Sequence, residues 1–160
     1  KAMWVRYGEI EDISQDMLQR MVGTGFFSVV WGMQVAAEFM TKGGSVINVA
    51  SAAAFLGIPK AMIYCGVKSG VLGLTRSAAV DFGPRGIRVN AVAQGSVHPE
   101  GVGVNVDAAM VEKRIAKTPM RRLGTVEDIA AAVCYLASAE SAWVTGECLK
   151  VDGGVTHAFL

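Results

Sequence analysis

Three observations predict an α/β fold with parallel strands. Helix and strand signals follow one another in the order helix, strand, helix, strand, two short helices, strand. Parallel strands need such helical crossovers between them. The strand signals are short, apolar and β-branched rather than alternating, as expected of strands covered on both faces. Finally, 160 residues with 52% hydrophobic composition suit a single globular domain over residues 1–160.

Each element has its own signature. Ile13, Met17, Met21, Val29, Met33 and Ala37 recur at helical spacing and predict a helix over Ile13–Met40. Its early polar positions are Asp12, Gln15, Asp16, Gln19 and Arg20. Beyond Gly25 it is apolar nearly all round, so burial on several sides is expected, and Lys42-Gly43-Gly44 ends it. Met17, Met21, Met33 and Met40 form a stripe suited to core or interface packing. Ser45–Ala50 is the first strand, and Ser51–Lys60 is an Ala-rich loop closed by Gly57 and Pro59. A second helix over Ala61–Phe82 stops at the breaker pair Gly83-Pro84. Gly86–Ala93 is the second strand. The loop Gln94–Asp107 holds three Gly and one Pro, and its length points to a functional role. Short helices fit Ala108–Lys117 and Val126–Ala137. Thr125-Val-Glu-Asp128 approaches a capping box, with Asp where Glu is usual. Glu147–Asp152 is the third strand.

Composition excludes several classes. A charged fraction of 18% with a mean hydropathy of +0.39 is not that of a disordered chain. Fifteen basic against 14 acidic residues leave a net charge of +1, too little to attract nucleic acid or an acidic membrane. The longest uncharged runs, Met21–Ala37 and Gly43–Pro59, are 17 residues each and are broken by polar side chains. A spanning helix wants about 20 apolar residues. Cys65, Cys134 and Cys148 are read as buried free thiols in a reducing compartment. His98 and His157 have no partner at metal-ligand spacing, so no metal site is predicted. His98 falls in the long loop, where it is a candidate substrate contact. Lys113-Arg114 and Arg121-Arg122 read as solvated faces, since no aromatic residue interleaves them. The chain begins with Lys and carries no signal-peptide pattern, and we expect it to be N-terminally incomplete.

Chemistry in a parallel α/β sheet gathers outside the carboxyl ends of its strands. Ser51 lies just past such an end. Tyr64 and Lys68, four apart on the next helix, share one face. An ammonium beside a phenol stabilises the phenolate and lowers its pKa, so Tyr64 could serve as general acid or base. A neighbouring hydroxyl, Ser51, could hold the substrate oxygen.

These residues sit in longer matching segments. Gly43-Gly-Ser-Val-Ile-Asn-Val-Ala-Ser51, Tyr64-Cys-Gly-Val-Lys68-Ser-Gly and Gly86-Ile-Arg-Val-Asn-Ala-Val-Ala-Gln-Gly95 resemble the short-chain dehydrogenase/reductase family, as do Pro119–Ala130 and Val144–Gly154. The resemblance runs from about residue 10 to the C-terminal segment. It implies a three-layer Rossmann-like parallel sheet with helices on both faces, the C-terminal half of which is represented here. It also implies a cytoplasmic oxidoreductase that uses NAD or NADP to interconvert a ketone and a secondary alcohol. Ser51 would bind the substrate oxygen, and Tyr64 would pass the proton. Lys68 would lower the Tyr64 pKa and bind the nicotinamide ribose. Gly95 and Val97 would lie against the nicotinamide through their backbones. The two long helices and the C-terminal strand would join copies into a homodimer or homotetramer, with no nucleic-acid or membrane partner.

The sequence departs from the family's pattern in four places. The Gly-rich phosphate loop Thr-Gly-x-x-x-Gly-x-Gly is absent, and Gly23-Thr-Gly25 does not replace it. Val22 stands where the family commonly has a catalytic Asn, Gln94 where it has Pro, and Pro99 where a Thr meets the cofactor. These departures support an alternative, a non-catalytic relative serving as an assembly subunit. The family's strand at Ser45–Ala50 is internal; here an open apolar edge is expected, an aggregation hazard.

Overall fold

The computed structural model describes residues 3–98 and 107–158. The helix expected over Ile13–Met40 is two α-helices joined by a π-helical turn: α1 (Gln15–Val22), Gly23–Phe27, and α2 (Ser28–Phe39). Two hydroxyls donate back into the helix at this turn, Thr24 to the Arg20 carbonyl (2.7 Å) and Ser28 to the Thr24 carbonyl (2.7 Å). Such back-bonding competes with the regular ladder and bends helices. Gly25 brings the turn onto the next long helix: a Cβ there would stand 2.6 Å from Val67 Cγ1. Ser14 caps α1 by accepting from the Met17 amide at 3.3 Å.

Three parallel strands follow in the spatial order β1 (Gly44–Val49), β2 (Ile87–Gln94), β3 (Cys148–Val151). Val46 lies opposite Val89, and Val92 opposite Leu149. The crossover from β1 to β2 is α3 (Met62–Phe82). The return to β3 carries α4 (Ala108–Lys117) and α5 (Val126–Ala137).

Side chains on β2 alternate between two cores, as the strand pleat requires. On one face Ala91 and Ala93 meet Val71 and Leu72 of α3, while Val89 meets Met33, Ala78 and Ala79. On the other, Val92 meets Ala132 and Leu136 of α5. Helices therefore cover both faces, the three-layer arrangement expected. Asn90, fully buried, donates to the Val144 carbonyl (2.8 Å) and accepts from the Glu147 amide (3.1 Å), which fixes the segment leading into β3. Arg88 donates to the carbonyls of Leu136 (2.8 Å) and Ser138 (3.1 Å), tying the end of α5 to the sheet.

Two expectations need correction. Beyond Gly25 the helix is not buried on several sides: Phe27, Trp31, Val35 and Phe39 of the turn and α2 are exposed, while Met33 and Val29 face the sheet. Apolarity all round says only that a surface could be covered, and nothing among the described residues covers this one. The cysteines are free but not buried: Cys134 is exposed on α5, and Cys65 and Cys148 are half-buried. Among the described residues β1 pairs with β2 alone, so its other edge is open, with Val49 45% exposed. No helix among them is long and apolar enough to cross a membrane.

Candidate active site

The carboxyl ends of β1 and β2 open onto a cavity of about 710 Å³ whose walls include Ser51, Tyr64, Gln94, Gly95 and Val97. Ser51 follows β1 in extended conformation and caps the 3-10 turn Ala52–Ala54. Its Oγ accepts from the Ala53 amide at 3.2 Å, which leaves its proton free to donate. Tyr64 is in the first turn of α3. Lys68, one turn on, is not in the wall but behind it, 8% exposed. Its Nζ donates to the Val49 carbonyl at 3.0 Å and lies 6.0 Å from the centre of the Tyr64 ring. Burial lowers the Lys68 pKa from the ordinary lysine value, because the charged form loses hydration.

Gly95 allows the ends of β2 and β3 to touch. Its amide donates to the Val151 carbonyl at 3.0 Å, and a Cβ would meet Asp152 Cα at 2.8 Å. Val97 continues the wall, bridging in parallel to Gly124, whose carbonyl accepts from the His98 amide at 2.9 Å. The chain past Gly95 is thus held by backbone pairing, with its peptide groups beside the cavity. Val22 sits half-buried at the end of α1, Gln94 is the last residue of β2, and His98 is exposed. Pro99 lies outside the described residues.

Other wall residues were not assigned to the site from sequence. Tyr7 packs edge-on against Tyr64, ring centres 6.1 Å apart at 72°. The Gly8 amide, donating to the Lys60 carbonyl at 2.9 Å, anchors that segment. Burial, and then the neighbouring Tyr64, push the Tyr7 phenol above its ordinary pKa against the pull of the Arg114 charge. Arg114, read from sequence as part of a solvated face, lines the cavity with Met110 and Lys117. These three positions are i, i+4 and i+7, one face of α4, and that spacing was the available signal.

Known proteins are similar to this chain in sequence and fold. A protein-family model described as enoyl-(acyl carrier protein) reductase matches residues 2–156. In Xanthobacter autotrophicus, 2-(S)-hydroxypropyl-CoM dehydrogenase 3 is 35% identical over 94% of this chain and 62% of its own length. An inactive 2-(S)-hydroxypropyl-CoM dehydrogenase 2 of the same organism is 41% identical over 92% of this chain and 65% of its own. A double mutant of the Serratia marcescens short-chain dehydrogenase/reductase superposes with a TM-score of 0.90 at 33% identity, over 98% of this chain and 63% of that one. A blue fluorescent protein from a metagenomic library, solved in complex with NADPH, gives a TM-score of 0.88 at 30% identity, over 97% and 62%. The chain spans less than two thirds of the length of the relatives it matches. It belongs, with them, to the short-chain dehydrogenase/reductase family of oxidoreductases.

Proposed function

We propose that the protein interconverts a ketone and a secondary alcohol with NAD or NADP, through Ser51, Tyr64 and Lys68. The observation that carries this reading is the convergence of Ser51 and Tyr64 on one cavity with the Lys68 ammonium buried behind Tyr64. The bare backbone at Gly95 and the held peptide groups at Val97 suit a flat nicotinamide ring. Lys68 gives one of its three N–H groups to Val49, and the others are the ones we assign to ribose hydroxyls. When bound, the dinucleotide supplies hydride in one direction and accepts it in the other.

The chain's own residues do the rest. Ser51 donates its free proton to the substrate oxygen and holds it beside Tyr64. Tyr64 gives its phenolic proton to that oxygen during reduction and takes it back during oxidation. Lys68, when protonated, places its charge near the ring and favours the phenolate left behind. Tyr7 packs edge-on against Tyr64 and holds its ring in place.

We read residues 1–160 as one domain, and the small-molecule carbonyl or alcohol as its partner. Copies would associate as a homodimer or homotetramer through the long helix that α1 and α2 make up, α3 and β3. The three free thiols suit a cytoplasmic, reducing setting. A second reading, a non-catalytic assembly subunit, is favoured by Val22, whose side chain cannot hydrogen-bond, and by the 41% identity to a relative described as inactive.

Tyr64→Phe separates the two. In the cofactor-loaded protein it should lower ketone reduction by at least about 100-fold, the usual contribution of a general acid. Undiminished turnover would remove Tyr64 from the chemistry. Normal NAD(P)H binding by a wild-type protein that reduces no ketone would favour the assembly subunit.

A further inference from the structure

We infer that the substrate of this cavity carries an anionic group, a carboxylate, sulfonate or phosphate, received by Arg114 and Lys117. The inference rests on the oxidoreductase reading for the reacting end of the substrate and adds a recognition element at the other end. Met110, Arg114 and Lys117 form one face of α4, and that face is turned to the cavity that Ser51 and Tyr64 share.

Among the described residues, the charge balance of the cavity is one-sided. Its titratable wall residues are Tyr7, Tyr64, Arg114 and Lys117, and among the described residues no carboxylate lines it. The ion pairs among those residues lie elsewhere, Lys60 with Glu9 and Arg122 with Asp128. The Arg114 guanidinium and the Lys117 ammonium have no hydrogen-bond or ion-pair partner among them. Much of the remaining wall is apolar, including Leu56, Ile58 and Pro59. Like charges beside low-dielectric walls focus the field into a cleft.

The simpler account is that cations in the last turn of α4 answer the helix dipole. That explains their presence near the C-terminus but not which way they face. Lys113, their neighbour in sequence, is absent from the wall, whereas Arg114 and Lys117 are in it. The planar fork of Arg matches two oxygens of an oxyanion, and Lys adds a point charge three residues on. Among the described residues, a neutral ketone would leave both cations facing the cavity without a counter-charge.

The test compares ketones that differ only at the far end: 5-oxohexanoate and 4-oxopentane-1-sulfonate against the neutral 5-oxohexanamide, with the one-carbon-shorter series beside them. Each is titrated into the NADPH-loaded protein at low and high salt. The anions should bind at least about tenfold tighter than the amide at low salt, and the advantage should shrink as salt screens it. Arg114→Gln with Lys117→Gln should abolish the preference, leave amide binding and thermal stability unchanged, and raise KM for the anions without lowering kcat. The inference is overturned if no anion binds better than its amide, or if the double variant weakens both alike. The two readings fail separately. Amide and anion turned over equally well would leave the redox site standing without the anion site. Selective anion binding without Tyr64-dependent turnover would leave the anion site and remove the redox reading.

Discussion

Lys68 sits where its charge is useful and its hydration is poor. At 8% exposure, with the Val49 carbonyl as its hydrogen-bond acceptor, it is held in place by the fold but destabilised as an ammonium. Its pKa is lowered in the folded state, so at pH values between that pKa and the ordinary lysine value the unfolded chain binds more protons. Stability from this group therefore rises with pH through that window and is flat below it. Lys68→Met removes the titration. We expect the stability of wild type relative to Lys68→Met to increase as pH is raised toward the ordinary lysine value of 10.5, measured by denaturant unfolding at each pH. A flat or falling difference would mean that Lys68 keeps its hydration. The Ser51, Tyr64 and Lys68 arrangement was legible because a strand end and an i, i+4 pair are local features. Arg114 was not. Lys113 and Arg114 are equally charged neighbours, and which one faces the cavity depends on how α4 docks. Tyr7 was missed for the same reason, since only the closed fold brings it against Tyr64.

At the start of α5, Thr125 and Asp128 bond reciprocally: the Asp128 amide donates to Thr125 Oγ1 (3.2 Å), and the Thr125 amide donates to Asp128 Oδ2 (2.8 Å). The shorter Asp carboxylate closes the capping box that Glu or Gln usually makes, and Arg122 steadies it with two bonds of 2.6 and 3.1 Å. The Arg122 guanidinium and the Thr125 amide hold the Asp128 carboxyl well below the usual carboxylate range. Thr125→Ala leaves the Asp128 amide without its acceptor and should cost about 1 kcal/mol. For a domain of this size that is a fall of about 2–4 °C in Tm, read by differential scanning calorimetry. No change would mean that Asp128 and Arg122 hold the helix start alone. Most elements were legible at this scale: α4 and α5 begin and end where their periodicity and caps say, and the strands differ by a residue or two. The π-helical turn was not, because it depends on Thr24 and Ser28 bonding backward and on Gly25 meeting Val67 of α3.

Across the whole molecule, one surface is out of keeping with a lone chain. Phe27, Trp31, Val35 and Phe39 recur every fourth residue along the turn and α2, at 47, 59, 55 and 74% exposure. The buried side of the same helix presents Met33 to the sheet, so this stripe is its second apolar face. The sequence showed the apolarity but not its destination, since burial in a core and burial between copies need the same side chains. Monomeric proteins rarely leave a contiguous stripe of this kind in water. If the stripe joins two copies, Trp31 and Phe39 are the residues to charge, because large aromatics dominate such contacts. Trp31→Glu with Phe39→Glu should shift the mass measured by light scattering from dimer or tetramer to a smaller species, with the far-ultraviolet circular dichroism unchanged. Both residues are exposed, so their replacement disturbs no core packing. The open edge of β1 gives the experiment its counter-case, because the substitutions leave that edge intact. Assembly that survives them runs through α3, β3 or the strand edge, and substituting Lys for the exposed Val49 disperses it only if the edge is the contact.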